Sequence, residues 1–395
     1  MLKLVLGTSG SGKTTLLYAR IRARAEAGKR SILLVPEQFT SSTEARIYRE
    51  LGDALSGMVE SYSFTSLAEH ILAALGGAAV QTLTDAGRAV LVRRALEELQ
   101  DNVHYYYRHR RSAAFCQMAA ETIDELKSAG LSGQQLQELA RDCGTESAKL
   151  GELALIFQGY ESLLAGTGMD PADRLELAAD RLEAALARNE LPDFLREREV
   201  FIDEFDTFNA PKKRLMGAML AALPAVTVAL CEDGAPMQPG DLELFSGAKQ
   251  VAAQLRQLAR KNGAQVAAPE LLRRDLRHKE APGLAALTEL LETGSCTPPE
   301  SAPELRLFAA ASREEEARCA AAAIRRLMRQ GVRCGKIAVV CRDISLYRAA
   351  VRYEFRMAEI PLYCDEPTTP EFSAPATAVR ALLALSLIHI SEPTR

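Results

Sequence analysis

The 395-residue sequence predicts an α/β fold: a parallel sheet with an all-helical insertion and the start of a second α/β domain. Three observations predict it. A glycine-rich loop joins a strand-length apolar run to a helical segment near the start of the chain. Apolar runs alternate with helical patterns over residues 1–83 and again over residues 191–295, an order typical of parallel sheets. Between these two parts, helical periodicity replaces the strand signals.

The glycine-rich loop occupies residues 7–14, Gly-Thr-Ser-Gly-Ser-Gly-Lys-Thr, and fits the phosphate-loop pattern G-x-x-x-x-G-K-[ST] at every fixed position. Backbone N–H groups in such a loop, together with the positive end of the following helix dipole, attract phosphate oxygens. A chance glycine turn is the alternative, and the strand before the loop and the helix after it disfavour that alternative. The pattern predicts a nucleotide site formed by Gly7, Thr8, Ser9, Gly10, Ser11, Gly12, Lys13, Thr14 and Thr15.

Two acids are predicted to complete this site. Lys13 would reach the β- and γ-phosphates and the Thr14 hydroxyl would ligate Mg²⁺. The apolar run 199–202 ends in Asp203 and Glu204, and acids at a strand's carboxyl end lie beside the phosphates in nucleotide-binding α/β domains. We expect Asp203 to hold Mg²⁺ through water and Glu204 to orient or deprotonate an attacking water. The alternative is a pair of solvated acids at a strand end.

Composition narrows the class of protein. The apolar content of 48%, the charged content of 25% and the net charge of −4 are ordinary for a globular protein, so any DNA contact must be a local patch. Eight scattered cysteines without a C-x-x-C pair predict reduced thiols, and five histidines show no zinc spacing. No stretch is apolar enough to span a bilayer and no basic leader precedes the first strand, so we expect a cytoplasmic protein without membrane contact.

The helical insertion is predicted over residues 84–190. Apolar residues at three- and four-residue spacing predict helices over 85–100, 113–129, 132–142, 149–165 and 171–187. Within the insertion, residues 104–111 read His-Tyr-Tyr-Tyr-Arg-His-Arg-Arg. This mixture of aromatic and basic side chains is either a DNA-facing patch or a solvated helix end with packed aromatics.

A second domain is predicted after a proline-rich linker at residues 295–303. We expect strands over 305–309 and 336–341, with a helix between them that is capped by Ser312 and ended by Gly331. This domain, over residues 304–385, is expected to be incomplete. Residues 386–395 do not continue the helical pattern of 374–385 and are predicted to be a non-native tail.

The order of these segments resembles superfamily-1 helicases of the UvrD type, and more closely the N-terminal half of the AddB family. AddB-type subunits belong to bacterial AddAB helicase–nucleases, which process double-strand breaks. The resemblance covers the chain to about residue 385. It rests on the phosphate loop, Val-Pro-Glu-Gln-Phe-Thr at 35–40, Ser-Tyr-Ser-Phe-Thr-Ser-Leu at 61–67, Ile-Asp-Glu-Phe at 202–205, Ser-Arg-Glu-Glu-Glu at 312–316, Ile-Ala-Val-Val-Cys-Arg at 337–342 and Ile-Pro-Leu at 360–362.

The resemblance implies a P-loop, RecA-like domain and a set of DNA contacts. Phe39 and Thr40 match one helicase segment that contacts single-stranded DNA, and a second such segment is matched by Phe64, Thr65 and Ser66. Aromatic faces can stack on bases and hydroxyls can hold phosphates. The alternative for both phenylalanines is a place in the core. Arg342 matches an arginine that such helicases place near the γ-phosphate, which would make it a further nucleotide contact.

The resemblance also implies cofactors and partners. These are ATP, Mg²⁺, single-stranded DNA and duplex ends, and an AddA-type partner in a heterodimer; a 4Fe–4S cluster is expected only in a C-terminal nuclease beyond this sequence. The full-length protein would be one subunit of an ATP-dependent helicase/deoxyribonuclease.

Departures from active motors leave ATP hydrolysis open. Active motors carry glutamines where this sequence has Asp206 and the stretch 231–236, and an aromatic residue where it has Cys341. The alternatives are a UvrD-type DNA translocase, a non-hydrolysing ATP-binding scaffold and a small-molecule P-loop kinase.

Overall fold

A computed structural model describes residues 1–79, 81–236, 244–364 and 374–391. The chain divides into two compact units, Met1–Ala302 and Pro303–Arg395. The division lies within the proline-rich segment that the sequence predicts as a linker. Each unit is described by itself.

The first unit is built on a six-stranded sheet in the order β3-β2-β4-β5-β1-β6, and every strand pair is parallel. The strands are β1 (Leu2–Gly7), β2 (Ser31–Leu34), β3 (Val59–Tyr62), β4 (Glu199–Ile202), β5 (Ala225–Cys231) and β6 (Glu270–Leu272). The predicted α/β fold with a parallel sheet is confirmed. Because all strands run the same way, their carboxyl ends share one edge, where the loops that carry the predicted site begin.

The helices of the first unit are α1 (Lys13–Glu26), α2 (Thr40–Leu51), α3 (Asp53–Ser56), α4 (Phe64–Leu75), α5 (Asp85–Glu98), α6 (Ala113–Ser128), α7 (Gly133–Ala140), α8 (Ser147–Leu164), α9 (Pro171–Ala187), α10 (Ala210–Ala222), α11 (Ser246–Lys261) and α12 (Pro282–Thr293). The five predicted insertion helices are confirmed, with ends shifted by a few residues. The sequence did not predict β6, α11 or α12.

The sheet is buried on both faces. Alternate side chains of β1 point to opposite layers, so that Leu4 and Leu6 join one core cluster and Val5 joins the other. The first cluster includes α4, α10 and α11, and the second includes α1 and α2. Helices therefore cover both faces, as a parallel sheet requires.

The helical insertion has a core of its own, which α5, α6, α7 and α8 form. Its last predicted helix, α9, packs instead on α4 and α10, and Leu182 of α9 belongs to the sheet's core. A buried polar cluster joins the two parts: Lys127 Nζ lies 2.9 Å from Asp170 Oδ2 and 2.8 Å from Asp173 Oδ2. The Tyr160 hydroxyl donates to Asp170 Oδ1 at 2.7 Å.

The second unit contains α13 (Arg313–Arg329), α14 (Ile344–Met357) and α15 (Ala374–Ser391). Ser312 accepts a hydrogen bond from the Glu315 N–H, as expected of the predicted cap. The strands predicted over 305–309 and 336–341 are wrong, because neither segment pairs with a strand among the described residues of this unit. Leu307 is fully exposed and Val340 is 91% exposed, so these apolar runs lack the cover that a buried strand needs.

Residues 386–391 continue α15, so the predicted end of the helical pattern at residue 385 is wrong; residues 392–395 lie outside the described residues. Within the described parts of both units, none of the helices combines the length and the apolar character needed to cross a bilayer.

Candidate nucleotide site

A cavity of about 530 Å³ lies at the carboxyl edge of the sheet, where the adjacent strands β4, β5 and β1 end. It brings together most of the predicted phosphate-loop residues and both predicted acids, which are separated by nearly 200 positions in the sequence. The lining residues from these predictions are Ser9, Gly10, Gly12, Lys13, Thr14, Thr15, Asp203 and Glu204.

The loop has the backbone conformation that its glycines allow. Gly10 and Gly12 have φ values of +82° and +91°, which favour glycine, and Gly12 lies immediately before the first residue of α1. At Gly7, a Cβ atom would lie 2.4 Å from Ser11 Oγ. The first N–H groups of α1 have no partner within the helix, so the loop and helix present donors to the cavity.

The Lys13 ammonium folds back over the loop. It donates hydrogen bonds of 2.8 Å to the carbonyl oxygens of Gly7 and Thr8. Burial lowers the pKa of Lys13, and the nearby Asp203 carboxylate opposes that change. A partly buried ammonium beside helix N–H donors is suited to an anionic ligand.

Asp203 is buried directly beyond the end of β4. Its Oδ1 accepts a 3.0 Å hydrogen bond from the Glu204 N–H, and its carboxylate also pairs with the Thr14 side chain. Burial raises the pKa of Asp203, an effect that these bonds and the Lys13 charge oppose. A hydroxyl and a carboxylate are oxygen ligands that suit Mg²⁺. No group of three or more His, Cys, Asp or Glu residues is arranged to hold a metal within the described ranges, so a cation here would retain waters or phosphate oxygens as ligands.

Glu204 has a strained backbone, with a φ of +65°, which non-glycine residues rarely adopt. The turn directs the chain out of β4 and leaves the Glu204 side chain exposed at the cavity. Partial desolvation at the cavity wall and the neighbouring Asp203 charge raise the pKa of Glu204, while Arg46 lowers it. A carboxylate with a raised pKa is a suitable base for water.

The structure adds two cations that the sequence did not predict. The loop after β6 lies against the phosphate loop: the Leu276 N–H donates to the Gly10 oxygen at 2.9 Å, and Arg277 Nη1 donates to Ser9 Oγ at 3.1 Å. Arg277 and Arg46 both line the cavity. Neither arginine stands in a recognisable local motif, and tertiary folding alone brings each to the cavity.

The first predicted DNA segment lies beside this cavity. Phe39 is 37% exposed and lines a neighbouring cavity of about 510 Å³. Thr40 begins α2, and its hydroxyl donates to the Glu37 oxygen at 2.9 Å. An exposed aromatic face remains available there for stacking.

The second predicted segment is different. Phe64 is only 2% exposed, and its ring packs edge-on against those of Phe205 and Phe208, with centroids 5.3 and 6.0 Å apart. This burial leaves no ring face for a base, so the stacking role predicted for Phe64 is corrected to a core role. Thr65 is exposed.

Helix α4 begins at Phe64, directly after its N-cap residue Ser63. Ser63 and Ser66 form a capping box, in which the Ser63 N–H donates to Ser66 Oγ at 2.8 Å and the Ser66 N–H donates to Ser63 Oγ at 3.1 Å. The Ser66 hydroxyl is therefore already engaged in starting α4.

The remaining predicted features belong to the helical insertion and to the second unit. In the aromatic and basic segment 104–111, the Glu152 carboxylate accepts hydrogen bonds from the N–H groups of His104, Tyr105 and Tyr106. This segment is a loop with one short helical turn. Arg342 is an exposed residue of the second unit.

Comparison with known proteins assigns the family. A family model described as ADDB, N-terminal, matches residues 4–288. The chain belongs to this AddB N-terminal family. Three similar proteins are each named as a subunit of an ATP-dependent helicase/deoxyribonuclease. The one from Desulforudis audaxviator is 34% identical over 381 residues, covering 92% of this chain and 32% of the relative.

The relative from Moorella thermoacetica is 33% identical over 379 residues, with the same shares covered. That from Symbiobacterium thermophilum is 31% identical over 404 residues, covering 97% of this chain and 34% of the relative. The chain thus spans about a third of the length of these relatives. The matched region contains the whole cavity, including Arg277.

Proposed function

We propose that this chain is the ATP·Mg²⁺-binding, helicase-like part of a helicase–nuclease subunit that processes double-stranded DNA ends for recombinational repair. The observation that carries the proposal is the cavity that residues of the phosphate loop line together with Asp203 and Glu204. The names of the relatives, which describe parts of an ATP-dependent helicase/deoxyribonuclease, support the wider role.

The cavity offers separate groups for the parts of a nucleotide. The loop N–H groups and the Lys13 ammonium would hold phosphate oxygens, and Arg277 would add a second cation at Ser9. Thr14 and Asp203 would hold Mg²⁺, which neutralises phosphate charge when bound. Glu204 would orient water near the terminal phosphate. Asp206 occupies a position where active motors carry glutamine, which suits a subunit that binds ATP but translocates poorly or not at all.

DNA would pass over the carboxyl edge of the sheet. Phe39 offers a partly exposed ring and Thr65 offers an exposed hydroxyl for phosphate or sugar contacts, whereas Thr40 would have to exchange its bond to the Glu37 oxygen for a DNA contact. We further propose an AddA-type partner and a cytoplasmic location, as the family implies. A 4Fe–4S cluster, if the full-length protein has one, would lie in sequence beyond this chain.

Equilibrium binding of Mg²⁺·ATP tests this function. The wild-type chain is expected to bind, and Lys13→Ala is expected to weaken binding by about 100-fold, because about 2.7 kcal/mol of phosphate contact is lost. Lys29→Ala is the matched control, since Lys29 is exposed just beyond α1. A wild-type chain that binds no nucleotide, or a Lys13→Ala chain that binds as well as the wild type, would contradict the proposal.

A further inference from the structure

Arg46 stands between two cavities at the carboxyl edge of the sheet. It lines the nucleotide cavity and also the neighbouring cavity that contains Phe39. The two cavities share Thr14, Asp203 and Glu204 in their walls. Arg46 therefore lies in the part of the site that Thr14, Asp203 and Glu204 line, where Mg²⁺ and the attacking water are proposed to be.

The position of Arg46 is fixed by packing. Its guanidinium carbon lies 4.9 Å from the centre of the Tyr18 ring, and Tyr18 is a buried residue one turn after Thr14 on α1. A guanidinium over an aromatic face is held in place while its edge stays available for hydrogen bonds. Among the described residues, Arg46 makes no hydrogen bond or ion pair with another side chain.

Arg46 lies in a wall of acidic side chains, so a phosphate bound there would need a metal cation beside it to offset the carboxylate charges. Asp203, Glu204 and Asp206 are the acids in the shared wall, and the Arg46 charge acts on the first two carboxylates. Thr14 and Asp203 would hold Mg²⁺, which would neutralise phosphate charge, and the terminal phosphate would then lie near this wall. A planar guanidinium can hold two oxygens of that phosphate at once.

We propose that Arg46 binds the terminal phosphate of a nucleoside triphosphate and so makes the site distinguish triphosphate from diphosphate. This inference rests on the proposed nucleotide function. Arg46 would be the third cationic side chain of the site, after Lys13 and Arg277, and it lies on α2, which carries none of the predicted nucleotide-binding residues. Because α2 begins at Thr40, the same helix joins Arg46 to the proposed DNA segment.

Arg49 supplies a matched control. It lies one turn further along α2, has the same charge and lines the neighbouring cavity, but it does not line the nucleotide cavity. A general effect of positive charge on α2 would change with either arginine. A contact with the terminal phosphate would change only with Arg46.

The test measures the affinities of the full 395-residue chain for Mg²⁺·ADP and for the non-hydrolysable imido analogue of ATP. Arg46→Ala is expected to weaken binding of the ATP analogue by about tenfold or more, as for the loss of one charged contact, and to leave ADP within about twofold. Arg46→Lys should restore part of the difference, and Arg49→Ala should change neither affinity. Unchanged ADP binding also shows that the variant is folded.

Three results would overturn the inference: equal losses for both nucleotides in Arg46→Ala, no loss for the ATP analogue, or the same loss in Arg49→Ala. Each of these leaves the proposed nucleotide function intact if the wild-type chain binds. A wild-type chain that binds neither nucleotide overturns both proposals.

Discussion

At the scale of single residues, the site carries a cost in stability. Asp203 is buried, and that burial raises its pKa, so the folded chain binds a proton there more tightly than the unfolded chain does. At neutral pH the ionised carboxylate therefore destabilises the nucleotide-free fold. This destabilisation decreases as the pH falls through the raised pKa of Asp203 toward the ordinary carboxyl pKa of 3.8.

Asp203→Asn is expected to raise the melting temperature of the nucleotide-free chain at neutral pH and to weaken Mg²⁺·ATP binding. Asparagine keeps an oxygen acceptor for the Glu204 N–H but carries no charge. Thermal melts at a series of pH values should show the gain shrinking as the pH falls. The exposed Asp101→Asn is the control. A lower melting temperature for Asp203→Asn at neutral pH would contradict this account.

The two phenylalanines of the predicted DNA segments should respond in opposite ways. Phe64→Ala removes a buried ring from the core and is expected to cost about 3–5 kcal/mol of unfolding free energy. Phe39→Ala should cost less than about 1 kcal/mol, since its ring is partly exposed. It should weaken single-stranded oligonucleotide binding by about 1–3 kcal/mol.

Denaturant unfolding and oligonucleotide titration measure these effects. A Phe39→Ala chain that binds oligonucleotides as the wild type does would remove Phe39 from the DNA surface.

At the scale of elements, the sequence predicted the strands that stand out as continuous apolar runs. The runs that became β1, β2, β4 and β5 are apolar because both faces of the sheet are covered. In contrast, β6 was not predicted because it has three half-buried residues and pairs only with β1 at the sheet's edge. The run 336–341 was wrongly predicted to be a strand. Its residues are apolar, but they pair with no strand among the described residues of the second unit.

The join between the insertion and the sheet gives a prediction at this scale. Lys127 of α6 is buried against Asp170, next to α9. Asp170→Ala removes one of the two carboxylates that pair with the buried Lys127 ammonium, and it is expected to lower the unfolding free energy by about 3–5 kcal/mol. Arg188→Ala, which removes an exposed pair with Glu190, should cost about 0–1 kcal/mol. Unfolding in urea compares them, and equal small losses would show that the buried cluster contributes little.

At the scale of the whole molecule, the candidate site is assembled from residues 9 to 277 of one compact unit. The phosphate loop and Asp203 could be predicted because each ends a recognisable strand. Arg46 and Arg277 could not, because helix packing and a loop after an unpredicted strand bring them to the cavity. Arg342 belongs to the second unit, and its predicted contact with the nucleotide stays a prediction.

The most direct measurement is a crystal structure of the chain with Mg²⁺ and the imido analogue of ATP. We expect the phosphates on the N–H groups of residues 10–14, Mg²⁺ between the Thr14 hydroxyl and the Asp203 carboxylate, and Arg46 on the γ-phosphate. Nucleotide density elsewhere on the chain, with Asp203 still bonded to Thr14 and no ion between them, would contradict the proposed site.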